Sequence, residues 1–487
     1  MLKLVCGFFL LFLALSVRGG QDPAHADSLK HRRNRINLPD SSTRTVRINR
    51  IIIIGNRVTR EHIILRELSV KPGDTVNYYL LPDILDKDRK KIFNLHLFHS
   101  ADIRMLEIQP GLMDLLVEVN ERWFTFPVPI FQLSDRNFNE WWENYNHDFR
   151  RVNYGLKLYQ YNMRGRNETL LLTAQLGYVK RFELTYRIPY IDRKQKQGLI
   201  LETDFIDNKN LAVRTLNHKL DFLEMRTLLR NTRGLALTYT YRNSFYYQHR
   251  IKYGVRLTRI ADTVAAINPY YLGLEKGLHQ RYDYLTYQFV ADRRDVVAYP
   301  LKGHYLLAQL QQNGLFDNRD LNLLSASVSL AGFAEVGRNL YLSNFTHAYW
   351  SNRQDIPYFN FGSMGYNKIF VRGYEVYVIE GPQYFLNKTT LKKRFFSRTW
   401  EWNDMPVSQF RFMPLSVFLK VYADFGYVKN YSLYNFLNIN QQLADNWLYG
   451  AGFGLDLVSS YDMVLRFEYS FNAQGRSGLF FHIKKEF

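Results

Sequence analysis

Leu235-Ala236-Leu237-Thr238-Tyr239-Thr240-Tyr241-Arg242 alternates between two kinds of side chain. In an extended chain successive residues point to opposite faces, so the two leucines and two tyrosines share one face and Ala236, Thr238, Thr240 and Arg242 the other. The period recurs along the chain. Phe182, Leu184, Tyr186 and Ile188 alternate with Glu183, Thr185 and Arg187; Leu324, Ala326, Val328 and Leu330 with Ser325, Ser327 and Ser329; Leu465, Phe467, Tyr469 and Phe471 with Arg466, Glu468 and Ser470. In a soluble sandwich the apolar face would be the core, whereas in a membrane barrel it faces lipid. Alternation by itself does not separate the two.

Three features favour the membrane barrel. The N-terminus, Met1-Leu2-Lys3, leads into an apolar run from Leu4 to Val17 broken only by Cys6 and Gly7. That run is too short to cross a bilayer and reads as a secretory signal, cleaved after Gly19 or after Ala26. The strands are about ten residues long, the length a tilted membrane strand needs. The chain also ends on an aromatic residue, Phe487, in an expected strand from Gly478. No later segment reaches the roughly 18 apolar residues of a membrane helix. From Pro127 to Phe487, at roughly 20 to 24 residues per strand and connection, the chain accommodates about 16 strands, the first expected near 153–163.

Composition agrees. Aromatic residues make up 16% of the 487, with 35 Tyr and 35 Phe, as two interfacial girdles require, yet mean hydropathy is −0.30, which argues against a helical membrane bundle. Cys6 is the single cysteine and lies in the signal, so the exported chain is expected to carry no disulfide or thiolate metal site. His96 and His99 have no carboxylate cluster at ligand spacing, and no metal is expected there. Gly-x-Ser-x-Gly, Walker, zincin and dinucleotide motifs are missing from the sequence, so neither an enzyme nor a cofactor is expected. A net charge of +19 could suit nucleic acid, but an exported chain does not meet it. Outer-membrane lipids and lipopolysaccharide are the better counter-surface.

Between the signal (1–26) and the strand-rich region (127–487) lie a polar lead-in, 27–42, and a compact α/β unit, 43–123. The unit opens with a β-branched strand from Val46 to Ile54, stopped by Gly55-Asn56. Thr59 is placed to cap a helix over Glu61–Leu68, which Lys71-Pro72-Gly73-Asp74 ends; a second helix runs over about Leu80–Asn94. Strands over about Phe98–Leu106 and Leu112–Val119 complete a β-α-α-β-β order. Trp141-Trp142 with Tyr145 offers either a partner-binding patch or an interfacial belt.

The unit at 43–123 resembles a polypeptide-transport-associated (POTRA) domain, carried by Ile54-Gly55-Asn56, Thr59, Ile63 to Leu68, Pro72-Gly73-Asp74, Leu97-Phe98 and Val117-Glu118-Val119. Val371-Arg372-Gly373-Tyr374 resembles the signature of the sixth extracellular loop in the BamA/TamA outer-membrane assembly superfamily, with five candidate strands after it. The resemblance implies a single POTRA domain followed by a 16-stranded antiparallel transmembrane β-barrel. It further implies that the loop folds back into the barrel and that Arg372 pairs with an inner-wall acid, matched here by Asp424. A guanidinium in a confined pore needs such a fixed carboxylate.

The sequence also departs from the family. Where a second acid is often found it has Thr390, which implies a looser hold on the loop. Lys484 replaces the glycine that lets the last strand kink, and Lys485 an apolar residue, so a copy of BamA gating is not expected. The segment between Phe395 and Pro414 reads as an unusually long periplasmic connection that contacts a partner there.

By resemblance the chain is expected in the outer membrane of a Gram-negative bacterium with its POTRA domain in the periplasm. There it would assist assembly or translocation of unfolded or exported client proteins, with periplasmic or lipoprotein partners. A substrate-specific channel, or a passive pore or structural subunit of an envelope complex, are the alternatives.

Overall fold

The computed structural model describes residues 44–133, 152–177, 179–192, 194–274, 277–316, 320–366, 369–402, 412–459 and 463–483. The signal, the lead-in, Trp141, Trp142, Tyr145, Lys484, Lys485 and Phe487 lie outside these residues.

Two compact units are formed. The first comprises the segment up to Ile54, Leu68–Arg89 and Asp102–Glu118. Its strand β1 (Thr45–Ile54) pairs antiparallel with β2 (Thr75–Asn77) and parallel with β4 (Leu112–Glu121), which lies between it and β3 (Phe98–Gln109). Helix α2 (Leu81–Phe93) lies between β2 and β3 in sequence, and helix α1 (Glu61–Leu65) precedes β2. Val46, Ile48, Val70, Leu81, Leu85, Met113 and Leu115 make a buried core. The buried Asp88 accepts from the backbone and hydroxyl of Ser69, at 2.6 and 2.7 Å. Two sequence expectations are corrected here. The order includes a short strand, β2, with too few residues to show a period. Thr59 does not cap α1: Arg60 holds that position without a side-chain cap, and the Thr59 hydroxyl instead accepts from Asn162 at 2.8 Å.

The second unit holds residues from Gly55–Glu67, Lys90–Ala101 and Val119 onward. Its strands are β5 (Thr125–Leu133), β6 (Val152–Met163), β7 (Glu168–Gly177), β8 (Val179–Ile188), β9 (Gln197–Asn208), β12 (Arg230–Arg242), β13 (Tyr247–Ile260), β14 (His279–Asp292) and β15 (Gly303–Asn313). The series continues with β16 (Leu323–Gly337), β17 (Leu340–Ser351), β20 (Gln383–Glu401), β21 (Phe412–Lys429), β22 (Trp447–Ser459), β23 (Val464–Asn472) and β24 (Ser477–Ile483). These sixteen form one antiparallel sheet from β5 to β24 in chain order. The hairpins β10 (Asn210–Leu216) with β11 (Lys219–Glu224), and β18 (Ser363–Met364) with β19 (Ile379–Glu380), stand apart.

The outward face is the apolar one. On β12, Leu235 and Leu237 are 57% and 51% exposed while Thr238 and Thr240 are buried, the reverse of a soluble sandwich and the pattern of a barrel that presents its apolar band to lipid. The first strand is β5 rather than 153–163. Its Pro127 and Pro129 break the strand signal, yet all nine residues pair with β6, as proline permits on an edge. The expected long connection after Phe395 is also different: β20 and β21 run on as a paired hairpin to Glu401 and Phe412, past a bulge between Arg394 and Phe396.

At the end where β5 begins, segments 55–67 and 90–101 of this unit pack on the strand turns. The buried Glu67 accepts two bonds from Arg242, at 2.9 and 3.2 Å. Arg66 stacks 3.9 Å from the Tyr190 ring, and Lys91 lies 3.6 Å from that of Phe245.

Candidate functional site: an arginine-anchored loop inside the sheet

The connection from β17 to β20 is long enough to fold onto the inner face of the sheet, and its apolar residues hold it there. Met364, Val371, Tyr374, Tyr377 and Ile379 pack with Phe345, Tyr384, Leu386, Val428 and Leu448 from the strands. This burial positions the polar core of the site, because Arg372 is carried inward beside Val371.

Arg372 is 6% exposed. Its Nη2 and Nε donate to the two oxygens of Asp424 at 2.5 and 2.7 Å, and its backbone N–H donates to the same carboxylate at 3.1 Å. Nη2 also donates to the Thr390 hydroxyl at 3.0 Å and Nη1 to Glu468 at 3.3 Å. The Tyr422 ring lies 3.7 Å from the guanidinium carbon. Arg372 and Asp424, matched from sequence as partners, are thus brought together in the forked geometry that fits guanidinium to carboxylate.

Thr390 does sit where the second acid is absent, but the looser hold that this implied is not what the structure has. Glu468, on β23, supplies the second carboxylate. It also accepts from Lys420 at 2.9 Å, and Lys420 reaches Asp456 at 2.5 Å. Arg466 and Tyr299 bond Asp456 in turn, at 3.3 and 2.9 Å. Burying a charge is costly unless it is paired and its remaining hydrogen-bonding capacity is used. A shared carboxylate meets that demand for two cations at once.

Room for the loop comes from β22. A Cβ added at Gly450 would stand 1.9 Å from the Arg372 carbonyl oxygen, and at Gly452 2.5 Å from the Tyr422 hydroxyl. Gly373 has φ +93, with Asn472 donating to its carbonyl at 2.7 Å. Gly450 and Gly452, with Glu468, Lys420 and Asp456, were missed from sequence as site residues, whereas Gly373 belongs to the motif read there. The signal of the missed residues was present only as alternation on β21, β22 and β23, which gives a face but not the neighbouring strand's register.

At its outer margin the loop is tied to β10 and β11. Thr215 donates to Glu380 at 3.0 Å, and Tyr434 donates to the other oxygen of that carboxylate. In the β10–β11 turn, His218 accepts at Nε2 from the Leu443 N–H at 3.0 Å, and its carbonyl accepts from Val378 at 2.8 Å. Burial pushes the His218 pKa down to about 4. His96 occupies a left-handed turn, φ 59. His99, partly buried and near Arg122, is likewise lowered to about 4. Among the described residues no group of three or more His, Cys, Asp or Glu could hold a metal ion.

A sixteen-stranded antiparallel sheet with an apolar outward face and an inturned, arginine-anchored loop, preceded in the chain by a small α/β unit, defines a β-barrel class of fold. Residues 46–122 match the POTRA family, described as the surface antigen variable number repeat. Among solved structures, the chain resembles BamA from Haemophilus ducreyi lacking POTRA domains 1–3, at 14% identity over 90% of this chain and 83% of that one, with a TM-score of 0.51. It also resembles CdiB from Escherichia coli, at 11% identity over 91% of this chain and 76% of that one, with a TM-score of 0.54. No curated protein sequence matches the chain.

Proposed function

We propose that this chain is an outer-membrane barrel that assists the assembly or translocation of other proteins, with the end at which β5 begins and the POTRA domain in the periplasm. The observation that carries the reading is the loop built around Arg372. It is clamped to β20, β21 and β23 by buried charges, close to a sheet margin where β24 has a neighbour on one side only among the described residues. An apolar loop packed on the inner face of the sheet narrows the lumen, which favours this reading over a wide, open pore. Assembly is also the role implied by the likeness to the BamA/TamA superfamily, and a strand edge offered to an extended client is its physical basis. No bond is made or broken in this reading.

The hairpin of β20 and β21 gives a surface for a periplasmic partner. Phe395, Trp402 and Phe412 are exposed on it, and aromatic side chains are enriched where proteins meet. Depletion of the protein in its host tests the main reading. The expected result is a fall in the level of outer-membrane or surface proteins, and unchanged levels would overturn it. Replacing Phe395 and Trp402 by serine is expected to remove a co-purifying periplasmic protein while leaving the barrel folded.

A further inference from the structure

The two terminal strands of the sheet are unequal as hydrogen-bonding edges. In an antiparallel pair, residues directly opposite alternate between exchanging both backbone bonds and exchanging none, so alternate N–H groups point to opposite sides of a strand. The Tyr161 N–H donates to Phe124, and Phe126, Val128 and Ile130 continue the same parity against β6. The residues of β5 that turn their backbone groups to the free edge are therefore Thr125, Pro127, Pro129, Phe131 and Leu133. Two of these five are prolines, which have no N–H.

At the other end of the sheet the Asn472 N–H donates to Arg476, and the register of β23 with β24 places Gly478 and Phe480 on that parity. Ser477, Leu479, Phe481 and Ile483 thus face the free edge, and each has both an N–H and a carbonyl. Any antiparallel closure of β24 on the middle of β5 would leave carbonyls of β24 without donors, which hydrocarbon penalises because it supplies no water to replace them. Among the described residues β5 and β24 are not paired.

We infer that β24, and not β5, is the edge that templates an incoming client strand, and that Pro127 and Pro129 keep β5 from closing over it. The inference rests on the assembly reading above and specifies which edge performs it. The occupant is an extended amphipathic segment of an unfolded barrel protein, whose N–H groups meet the β24 carbonyls that β5 cannot satisfy.

The test uses the full chain reconstituted in phospholipid vesicles, with a photo-crosslinking residue placed at Leu479 or at Phe131. The probe is a small outer-membrane barrel protein unfolded in urea. Adducts at position 479 are expected to exceed those at 131 roughly tenfold, the weight of one carbonyl left unsatisfied. Restoring both donors with Pro127→Ala and Pro129→Ala should raise the yield of a disulfide between Val128→Cys and Phe480→Cys and lower the adducts at 479. Equal or greater adducts at 131 would overturn the inference while leaving the assembly reading intact, and so would a double variant that changes neither yield. Adducts at neither position, from protein that keeps its folded electrophoretic mobility, would overturn both.

Discussion

Glu468 stands between two cations, 3.3 Å from Arg372 and 2.9 Å from Lys420, and so joins the loop to the barrel wall through a single carboxylate. Its neutral isostere keeps the shape but leaves each cation with one carboxylate, Asp424 or Asp456. Breaking a buried ion pair costs on the order of 3–5 kcal/mol when a charge is stranded. Glu468→Gln, which strands neither cation fully, is expected at or below the lower end of that range. Asp424→Asn should cost more, since Asp424 takes three of the bonds made by Arg372. Thermal loss of the compact electrophoretic form, compared across the two variants, measures the order.

Gly450 offers a test of the loop's position that leaves every charge in place. A methyl there meets the Arg372 carbonyl at 1.9 Å, a backbone atom that cannot rotate aside. Gly450→Ala should displace the loop at a cost of about 1–3 kcal/mol, the usual range for overpacking. Maleimide labelling of a Tyr374→Cys reporter, buried in the parent, should accelerate. Gly337→Ala is the control, because the nearest atoms to its added carbon lie at 3.6 and 3.7 Å, ordinary contact, and it should label at the parent rate.

The barrel was legible because membrane strands write their two faces into sequence with a fixed period, as Leu235 to Arg242 do. Features that the period does not encode were lost. β2 is three residues long, and β5 was passed over as first strand because proline is a poor strand former everywhere except at an edge. In the site, Arg372 and Asp424 were found through a motif and its matching acid. Glu468 was not, although it lies on the polar face of β23, because its approach to Arg372 depends on the register of β23 beside β22 and on the glycines that let the loop descend there.

The bond between Glu67 and Arg242 predicts how segment 55–67 is held within its unit. Glu67 is fully buried and Arg242 mostly so. Glu67→Ala strands a guanidinium and is expected to cost a few kcal/mol, whereas Arg242→Met together with Glu67→Leu should recover much of it, since apolar replacement of both partners removes the desolvation penalty. Protease cleavage between residues 55 and 67 is the readout. Equal sensitivity of single and double variants would show that the ion pair does not fasten the segment.

His218 sets a pH dependence on the outer margin of the loop. Its ring accepts from the Leu443 N–H, which requires a neutral imidazole with the proton on the other nitrogen, and burial lowers its pKa from 6.5 to about 4. A folded pKa below the unfolded value means that the unfolded or undocked state binds the proton first. The stability supplied by this contact is therefore fully present above about pH 6.5 and is lost as pH falls toward 4, by up to roughly 3 kcal/mol. Protonation would set two donors against each other at Leu443 and release the turn. Amide exchange at Val378 and Leu443, corrected for the intrinsic pH effect, should thus lose protection between pH 6.5 and 4. In His218→Gln, which does not titrate, protection at these two amides should change little over that interval, and a variant that still loses protection between pH 6.5 and 4 as the parent does would refute the assignment to His218.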